Sequence, residues 1–414
     1  MMSKTAEELY KERETRIMDA VHLEIPDRIP ILVALTYFPA VYTGIPKKAA
    51  WYDHDKWLTA SMKTFIDFQP DGIWSIQGFS PGVVMELLEP KSQRWPGWGL
   101  DDDNEHQAIE IAGMNGDEYD LYFNDRGDFS FRTMFGRMFG AAEPFKKLPP
   151  LSSLGAPFAG MQFAEAMADP EIMAAVEKFQ KAGQLLREMR PKMKNFYEEA
   201  ENLGFPCNRG PGGGVPFDGI SDYLRGMQGA MTDMYRNPDN LMRVIDERLQ
   251  NTLTMLDSLP KFTKPTRAFM ALHRGSDGFM SLKQFEKFYW PSFKAILLKM
   301  IEKGITPFPF LEGIWDQRLE YFLELPKGSM VAHFAYTDMK KAKDILRGHM
   351  CIMGDIPSSL LNAGTPQQVE EYTKDLMAYC GKDGGLIVSN NTVNQGKPDC
   401  IRAMIETVKK YGVY

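Results

Sequence analysis

The feature that most constrains the fold is a regular alternation of short β-rich runs with amphipathic helical runs in the last third of the chain. The predicted strands cover residues 266–272, 306–311, 329–334, 350–354 and 386–389. The predicted helices cover residues 281–303, 316–325, 338–346, 366–380 and 398–411. Because parallel neighbours need a crossover connection, this order predicts right-handed βαβ units around a parallel sheet.

The starts of two of these helices carry capping residues. Ser281 is followed by Gln284 and Thr365 by Gln368, which is the S/T-x-x-Q pattern of a capping box. Pro366 occupies the first helical position, where its missing N–H is not needed. These signals place both helix starts just after predicted turns and support the alternation.

Two further candidate strands, at residues 29–35 and 72–76, lie in the N-terminal half. Together with the C-terminal units they favour a closed (β/α)8 TIM barrel over an open doubly wound sheet. We therefore expect one α/β barrel domain over residues 1–414, with an N-terminal helical extension. Residues 91–147 break the pattern and predict an insertion of loops and short antiparallel strands. This insertion could be a lid over the site or a solvated surface excursion.

Charge and cysteine content exclude several classes of protein. The net charge is −7 and no basic block offsets it, which argues against binding to nucleic acid or to an anionic membrane. The four cysteines are scattered without a CxxC pair, which argues against a disulfide scaffold and a thiolate zinc cluster. The first twenty residues are charged throughout, and no run approaches eighteen apolar residues. We expect a cytoplasmic enzyme.

Polar side chains gather at the carboxyl ends of the predicted strands, where parallel barrels place their chemistry. They are His273, Arg274 and Asp277 after the first C-terminal strand, Glu312 after the second, His333 in the third, Asp355 after the fourth, and Asn390 and Asn391 after the fifth. Two of the six histidines in the chain therefore fall at strand ends, with a glutamate at the end of the strand between them.

Two imidazoles and one carboxylate on neighbouring strands predict a metal site made of His273, Glu312 and His333. This ligand set suits Zn²⁺ with an open fourth position for water or substrate. A metal-free polar pocket and a purely structural role for these residues both remain open, because the spacing matches no metal-binding motif. In the metal-free alternative, Glu312 would pair with Arg274.

Aromatic residues near the predicted strand ends could form a flat apolar pocket, although core packing explains them equally well. They are Tyr37, Phe38, Trp74, Phe308, Phe310 and Trp315. The glycine-rich run at residues 209–219 lacks the order of a phosphate-binding loop, and a mobile loop over the pocket is the better interpretation. There is no GxSxG elbow, so the sequence gives little support to nucleophilic acyl transfer.

Five sequence blocks resemble the uroporphyrinogen decarboxylase superfamily. They read PDRIPILVAL, PFDGISDYLRGMQGAMTDMYRNPDNLMRVID, DGFMSLKQFEKFYWP, NAGTPQQVEEYTKDL and KKYGVY, and they occur in the family's order over nearly the whole chain. The resemblance implies a (β/α)8 barrel. It also implies one of two activities: decarboxylation of a porphyrinogen, or transfer of a methyl group between a small substrate or carrier thiol and a corrinoid protein.

Departures from the family pattern bear on this choice. Porphyrinogen decarboxylases carry an arginine-rich block after the first strand, whereas residues 35–42 here read LTYFPAVY and contain no arginine. A substrate with several carboxylates needs cations, so porphyrinogen decarboxylation is not expected. Thiol-directed methyltransferases carry an HxCG signature and a late cysteine. The corresponding positions here hold Phe310, Glu312 and Thr392.

The sequence is more similar to the O-demethylase methyltransferases, which take methyl groups from aromatic methyl ethers. The resemblance implies transfer of a methyl group to the cobalt of a separate corrinoid protein, since the chain has no cobalamin-binding motif of its own. We expect Asp277 and Asn390 to orient ligands or the phenol, and Asn391 to contact the substrate.

In the same reading, an aromatic set would hold the substrate ring: Tyr37, Trp74, Phe310 and Trp315. The alternatives are a decarboxylase or lyase for a small aromatic acid bound by Arg274, and a non-catalytic barrel that binds a corrinoid partner.

Overall fold

A five-stranded parallel sheet in the C-terminal half is the centre of the computed structural model, which describes residues 4–76, 81–155, 157–392 and 395–414. Its strands are β6 (Arg267–Leu272), β7 (Thr306–Leu311), β8 (Val331–Phe334), β9 (Cys351–Ile356) and β10 (Leu386–Asn390). Their order in the sheet is β10-β9-β8-β7-β6, so each strand lies beside the next one in the chain. All five correspond to predicted strands. The α/β class and the parallel arrangement are confirmed.

Two N-terminal strands, β1 (Leu32–Leu35) and β2 (Gly72–Ile76), form a second parallel pair. Single bridges connect this pair to its surroundings: Ile31 bridges Val388 in β10, and Ile73 bridges Cys207. Beyond Cys207 the chain runs beside β6, where the amide of Gly210 donates to the carbonyl of Arg267 at 2.7 Å. Backbone contacts therefore connect β10 to β1, and β2 to the segment beside β6.

Helices make up most of the remaining chain. The α-helices are α1 (Ala6–Val21), α2 (Phe38–Thr43), α3 (Ala49–Tyr52), α4 (His54–Phe68), α5 (Gly82–Leu88), α6 (Tyr119–Asn124), α7 (Arg126–Asp128), α8 (Phe135–Met138), α9 (Pro157–Met167), α10 (Pro170–Asn202), α11 (Pro216–Gly219), α12 (Gly226–Arg236), α13 (Pro238–Asp257), α14 (Leu282–Gln284), α15 (Trp290–Glu302), α16 (Met339–Leu346), α17 (Ser358–Ala363), α18 (Pro366–Cys380) and α19 (Pro398–Tyr411). Short π-helical turns span Phe129–Met134, Ile220–Leu224 and Phe285–Tyr289, and 3₁₀ turns span Gly140–Lys147, Leu151–Ser153 and Leu319–Glu324. No helix among the described residues is long and apolar enough to cross a membrane.

Both predicted capping boxes are present. Ser281 and Thr365 each accept a hydrogen bond from the backbone of the glutamine three residues later, and each glutamine side chain accepts one in return. One predicted helix was wrong in type and length: residues 316–325 contain only the 3₁₀ turn Leu319–Glu324.

Alternation along the strands gives the sheet two different faces. One face is called the inner face below. Its side chains on β1, β2, β7, β8, β9 and β10 form one apolar cluster, which includes Leu32, Trp74, Phe308, Met353 and Ile387. Helix α1 covers part of it, since Ile17, Ala20 and Val21 belong to the same cluster. The opposite face packs against the surrounding helices in the larger core cluster. Inner-face side chains therefore point away from the helices of the larger core cluster.

The region at residues 91–147 is more ordered than predicted. It begins with a small three-stranded sheet of β3 (Gln93–Pro96), β4 (Gly99–Leu100) and β5 (Gln107–Ala108), in which β3 pairs in parallel with β4 and antiparallel with β5. From Tyr119 to Lys147 it is helical, and the prediction of loops there was wrong. The helical part is stabilised by a stacked aromatic cluster that includes Phe131, Phe135 and Phe145.

Candidate functional site

His273 follows the last residue of β6 and lies at the carboxyl end of the sheet. Its backbone N–H donates to Oδ2 of Asp218 at 3.1 Å, and its Nδ1–H donates to Oδ2 of Asp222 at 2.6 Å. Backbone and ring are therefore held by two different carboxylates. Because Nδ1 is committed to Asp222, Nε2 is the ring atom that is left to face the space above the strand ends.

Asp218 is the buried anchor of this site. Besides the hydrogen bond from the amide of His273, it accepts one from the amide of Arg274 at 3.0 Å and one from the hydroxyl of Tyr289 at 2.8 Å. Burial raises the pKa of Asp218 to about 6, although the hydrogen bonds it accepts act in the opposite direction. Asp218 therefore fixes the turn that carries His273 and Arg274, and it does so without exposure to solvent.

Asp222 links two cations. Asp222 accepts a hydrogen bond from the guanidinium of Arg274 at 3.0 Å as well as the one from His273. Arg274 also donates a hydrogen bond to the hydroxyl of Ser221 at 2.8 Å. The hydrogen bond to Asp222 raises the pKa of His273 to about 9, with Glu312 as a further favourable charge. His273 is therefore an imidazolium at neutral pH, and its Nε2 carries a proton.

Glu312 follows β7 directly, and its carboxylate Oε1 lies 3.9 Å from Nε2 of His273. Its side chain is about half-exposed, yet partial burial raises its pKa. The loop behind it is tightly built: the indole N–H of Trp315 donates to the carbonyl of Glu312 at 2.9 Å. Gly313 has φ 78°, and a Cβ there would lie 2.7 Å from Cβ of Ser276, so the turn after Glu312 requires glycine.

A cavity of about 450 Å³ opens beside this group. It is lined by His273, Arg274, Glu312 and Asp222 and also by residues of the small inserted sheet and its flanks. A second cavity of about 630 Å³ is also lined by His273, together with Asp218, Phe269 and part of the glycine-rich run. His273 and Asp222 line both cavities, which places this pair at the centre of the candidate site.

The glycine-rich run packs closely against β6 in the first part of its length. A Cβ at Gly210 would lie 2.6 Å from the carbonyl oxygen of Arg267, and one at Gly212 would lie 2.7 Å from that of Phe269. Glycine is therefore needed for the close approach of two backbones. Gly214 has open space around it and borders the second cavity.

His333 lies deeper on the inner face. Its ring is fully buried between Trp74 and Phe310, with centroid distances of 5.4 and 4.8 Å, and its Nε2 is 3.3 Å from the carbonyl of Asn390. Burial lowers the pKa of His333 to about 3, so this imidazole is neutral. Its Nδ1 has no hydrogen-bond partner within the described chain.

The predicted zinc ligands are thus brought together only in part. His273 and Glu312 lie close together, whereas the ring of His333 lies deeper in the sheet, between Trp74 and Phe310. In the described ranges no group of three His, Cys, Asp or Glu side chains is arranged to hold a metal ion. His273 and Glu312 could supply two ligands, but the described residues do not fit the predicted three-ligand site, and the zinc site stays a prediction.

Two other predicted residues support the loop behind Glu312. Trp315 is fully buried among aromatic side chains and does not line the cavity beside Glu312. Asp277 forms an ion pair with Arg318 and accepts the amide of Gln317 at 3.1 Å. Both placements indicate loop positioning, so the structure does not support Trp315 as a ring contact.

Three predicted residues remain: Asn390 and Asn391 at the end of β10, and Tyr37 in a cluster that includes Trp95 of β3. Asn390 donates to and accepts from the backbone of Ala34, at 3.2 and 3.1 Å, and so connects β10 to β1. Tyr37 accepts from the indole N–H of Trp51 at 2.9 Å, in a buried aromatic cluster with Trp95. Asn391 is buried, and neither amide atom of its side chain has a partner within the described ranges.

Sequence reasoning did not single out Asp218, Asp222 or Tyr289. The two aspartates are four residues apart in PFDGISDY, a spacing that places both on one face of the helical segment α11 and the turn after it. That spacing was the available signal. Their partner His273 is 51 residues away from Asp222, and only the fold brings them together.

The fold and the site define an α/β protein whose polar residues meet at the carboxyl ends of parallel strands. Residues 213–411, which include β6 to β10 and the Asp222–His273–Glu312 group, match the family model described as uroporphyrinogen decarboxylase (URO-D). This match confirms the superfamily resemblance noted in the sequence blocks.

Among solved structures, a methyltransferase from Methanosarcina mazei is similar in fold, with a TM-score of 0.58 and 11% sequence identity. The match covers 96% of this chain and 98% of that chain. No curated protein sequence matches the chain. The structural likeness therefore supports the fold over almost the full length.

Proposed function

We propose that this protein is a methyltransferase that moves a methyl group from a methoxylated aromatic substrate to the cobalt of a separate corrinoid protein. The observation that carries the proposal is the Asp222–His273 pair facing Glu312 beside a cavity at the carboxyl ends of β6 and β7. This arrangement supplies a held, positively charged N–H donor in a partly buried site. The methyltransferase with the similar fold supports the same class of reaction.

We further propose that the eight-stranded barrel is closed. The bridges from Ile31 to Val388 and from Ile73 to Cys207, and the bond from Gly210 to Arg267, support closure on both sides of the β1–β2 pair. The closed order would be β6 to β10, then β1, β2 and the segment around Cys207. In such a barrel the inner-face aromatic residues would form the floor beneath His273 and Glu312.

The chemistry required is stabilisation of a poor leaving group. When the methyl carbon of an aryl ether is attacked, the C–O bond breaks and its electron pair passes to the oxygen as the new bond to carbon forms. The Nε2–H of His273 can donate a hydrogen bond to that oxygen and transfer its proton to the developing phenolate. Asp222 keeps the imidazolium oriented and charged, as the third member of an acid–base group does.

The charges around the cavity disfavour a substrate with many carboxylates. Its lining holds two cations, His273 and Arg274, against three carboxylates, Glu110, Asp222 and Glu312. The guanidinium of Arg274 is already bonded to Asp222 and Ser221. A neutral ether avoids the unpaired buried charge that an additional carboxylate would bring into this site.

The experiment that tests this function mixes the purified protein with a reduced corrinoid protein and a panel of methoxyarenes, and follows the cobalt absorption. We expect methylation of the cobalt with at least one ether and loss of activity in His273→Ala. His22→Ala is the matched control, because His22 is exposed and lies on the C-cap of α1. Absence of methyl transfer from every methoxyarene would contradict the proposal.

Two alternative functions give different outcomes in the same panel. Arg274 lines the cavity beside Glu312, so a decarboxylase or lyase acting on a small aromatic acid is the second candidate. It predicts release of carbon dioxide from a benzoate without corrinoid, and loss of that release in Arg274→Met. A non-catalytic partner-binding protein would bind the corrinoid protein and turn over neither substrate.

A further inference from the structure

The inserted region contributes one wall of the cavity beside His273. This wall consists of Ser92, Gln93, Ala108, Ile109 and Glu110, which belong to β3, β5 and their immediate flanks. The rest of the lining is formed by residues at the strand ends, by the segment that carries Asp222 and by Met227. A substrate bound next to His273 would therefore lie between the parallel sheet and the insertion.

The insertion wall supplies both polar and apolar side chains. Ser92, Gln93 and Glu110 are polar, whereas Ala108 and Ile109 are its two apolar residues. Ile109 is 38% exposed, and the rest of the lining includes the charged side chains of His273, Arg274 and Glu312. An aliphatic side chain in a lining that also holds these charged groups suits a ligand with an apolar ring edge and a polar oxygen.

The wall is fastened to the rest of the site. The amide of Ile109 donates to the carbonyl of Ser92 at 2.7 Å, which holds Ile109 against the β3 side of the small sheet. The carboxylate of Glu110 accepts the backbone N–H of Gln228 at 3.0 Å, in the first turn of α12. A few residues on, the amide of Met114 donates to the carbonyl of Leu224 at 2.7 Å.

These ties connect the insertion to the segment that begins with Asp218 and Asp222. The π-helical turn Ile220–Leu224 contains Asp222, and α12 follows it directly. Gly226, the first residue of α12, has φ 70°, a backbone conformation that favours glycine. A Cβ at Gly226 would lie 3.1 Å from Oε1 of Glu110, so the insertion and the start of α12 are in close contact.

We propose that residues 92–93 and 108–110 form a fixed specificity wall, in which Ile109 sets the size of the ring system that fits opposite His273. The proposal rests on the function proposed above and deepens it, because it assigns the choice of substrate to the insertion. It also gives the insertion a defined role, as a static wall in place of a lid that opens and closes.

The substitutions Ile109→Trp and Ile109→Ala test the size-setting role. We expect Ile109→Trp to lower kcat/KM for 2-methoxynaphthalene relative to methoxybenzene by about tenfold or more, and Ile109→Ala to shift the ratio in the opposite direction. Ile25→Trp is the matched control, because Ile25 is 62% exposed and does not line this cavity. Unchanged ratios in both Ile109 variants, with the fold intact by circular dichroism, would overturn the proposal.

A binding measurement separates failure of the wall from failure of the methyltransferase reaction. Calorimetric titration with phenol and 2-naphthol needs no corrinoid protein and no turnover. We expect Ile109→Trp to weaken 2-naphthol about tenfold and to leave phenol nearly unchanged. If no variant transfers methyl groups but this pattern appears, only the function is wrong. If 2-naphthol binds equally to the native protein and both Ile109 variants, the wall is wrong.

Hydrogen exchange tests whether the wall is fixed. The amides of Ile109 and Gln228 donate to Ser92 and Glu110, so both should exchange slowly in the ligand-free protein. We expect phenol to change their exchange rates less than twofold. Fast exchange without ligand that becomes at least tenfold slower with phenol would show a closing lid and overturn the fixed wall.

Discussion

The substitution Asp222→Asn isolates the interaction that sets the charge of His273. Asparagine retains the size of the side chain, but it removes the carboxylate that accepts the Nδ1–H of His273 at 2.6 Å. The hydrogen bond to Asp222 is the largest cause that raises the pKa of His273 to about 9. Without it, we expect the pKa of this imidazole to return toward the ordinary value of about 6.5.

The change in protonation can be worked out from these two values. At pH 8 an imidazole with a pKa of about 9 is roughly 90% protonated, and one with a pKa of about 6.5 is roughly 3% protonated. If the proton on Nε2 assists the leaving oxygen, the variant should therefore be about 30-fold slower at pH 8. At pH 5.5 both proteins are almost fully protonated, so most of the difference should disappear.

Two assays follow this prediction independently. Two-dimensional NMR titration of the six histidines measures the pKa of His273 in the free protein, with His273→Ala used to assign its signal. The pH dependence of methyl transfer then shows whether acid restores the variant. An unchanged pKa of His273 in Asp222→Asn would refute the electrostatic reasoning. A rate defect that is equal at pH 5.5 and pH 8 would refute the role of the proton.

Three further outcomes follow from the structure. Burial raises the pKa of Asp355 to about 7. Between about pH 4 and pH 7 this carboxyl group is therefore protonated in the folded protein but ionised in the unfolded chain, so the free energy of unfolding falls as the pH rises through that range. Asp355→Asn should therefore stabilise the protein at pH 8 by up to about 4 kcal/mol and leave it unchanged near pH 3.5, and equal urea curves at pH 8 would contradict this. Trp315→Ala should cost about 3–5 kcal/mol in urea unfolding, because the ring is fully buried, and a loss under 1 kcal/mol would show that it packs loosely. If zinc binds through His273 and Glu312, elemental analysis should find it at one per chain and absent in Glu312→Ala, whereas zinc retained by that variant would exclude Glu312 as a ligand.

Much of the sheet could be predicted because its signals are local. Each C-terminal strand is a short apolar run followed by a marked helix start, and the capping residues at Ser281 and Thr365 form the predicted bonds. The start of the 33-residue helix α10 is also marked, by the Asp169 cap and by Pro170 in its first turn, but these local signals do not place the helix in the fold. Only five of its residues are buried and Pro191 lies inside it, so its position depends on packing against α5 and the Gly140–Lys147 turn.

Only part of the candidate site could be predicted from the sequence. Strand ends placed His273 and Glu312 near each other, and the structure brings them to 3.9 Å. His333 was grouped with them by order along the chain, but the register pairs it with Phe310, two residues before Glu312. At about 3.3 Å per residue, that difference puts His333 some 6–7 Å deeper. Register between strands is a three-dimensional property that the alternation does not contain.

The aspartates that hold His273 could not be located from strand ends at all. Asp218 lies at the end of the glycine-rich run and Asp222 lies just after it, and both reach the end of β6 because that run approaches the β6 backbone closely. The close approach depends on Gly210 and Gly212. The glycine content predicted a loop, but it did not predict that the loop packs against the backbone of β6.

The most direct test of the central claim is cobalt methylation by the native protein and by His273→Ala, measured side by side with a reduced corrinoid protein and methoxyarenes. We expect the native protein to methylate the cobalt and to release one phenol per methyl group. We also expect His273→Ala to be slower by at least about 100-fold, the lower range for loss of a general acid. Native activity in the His273→Ala variant would contradict the assigned role of His273. Failure of the native protein with every methoxyarene would contradict the proposed function.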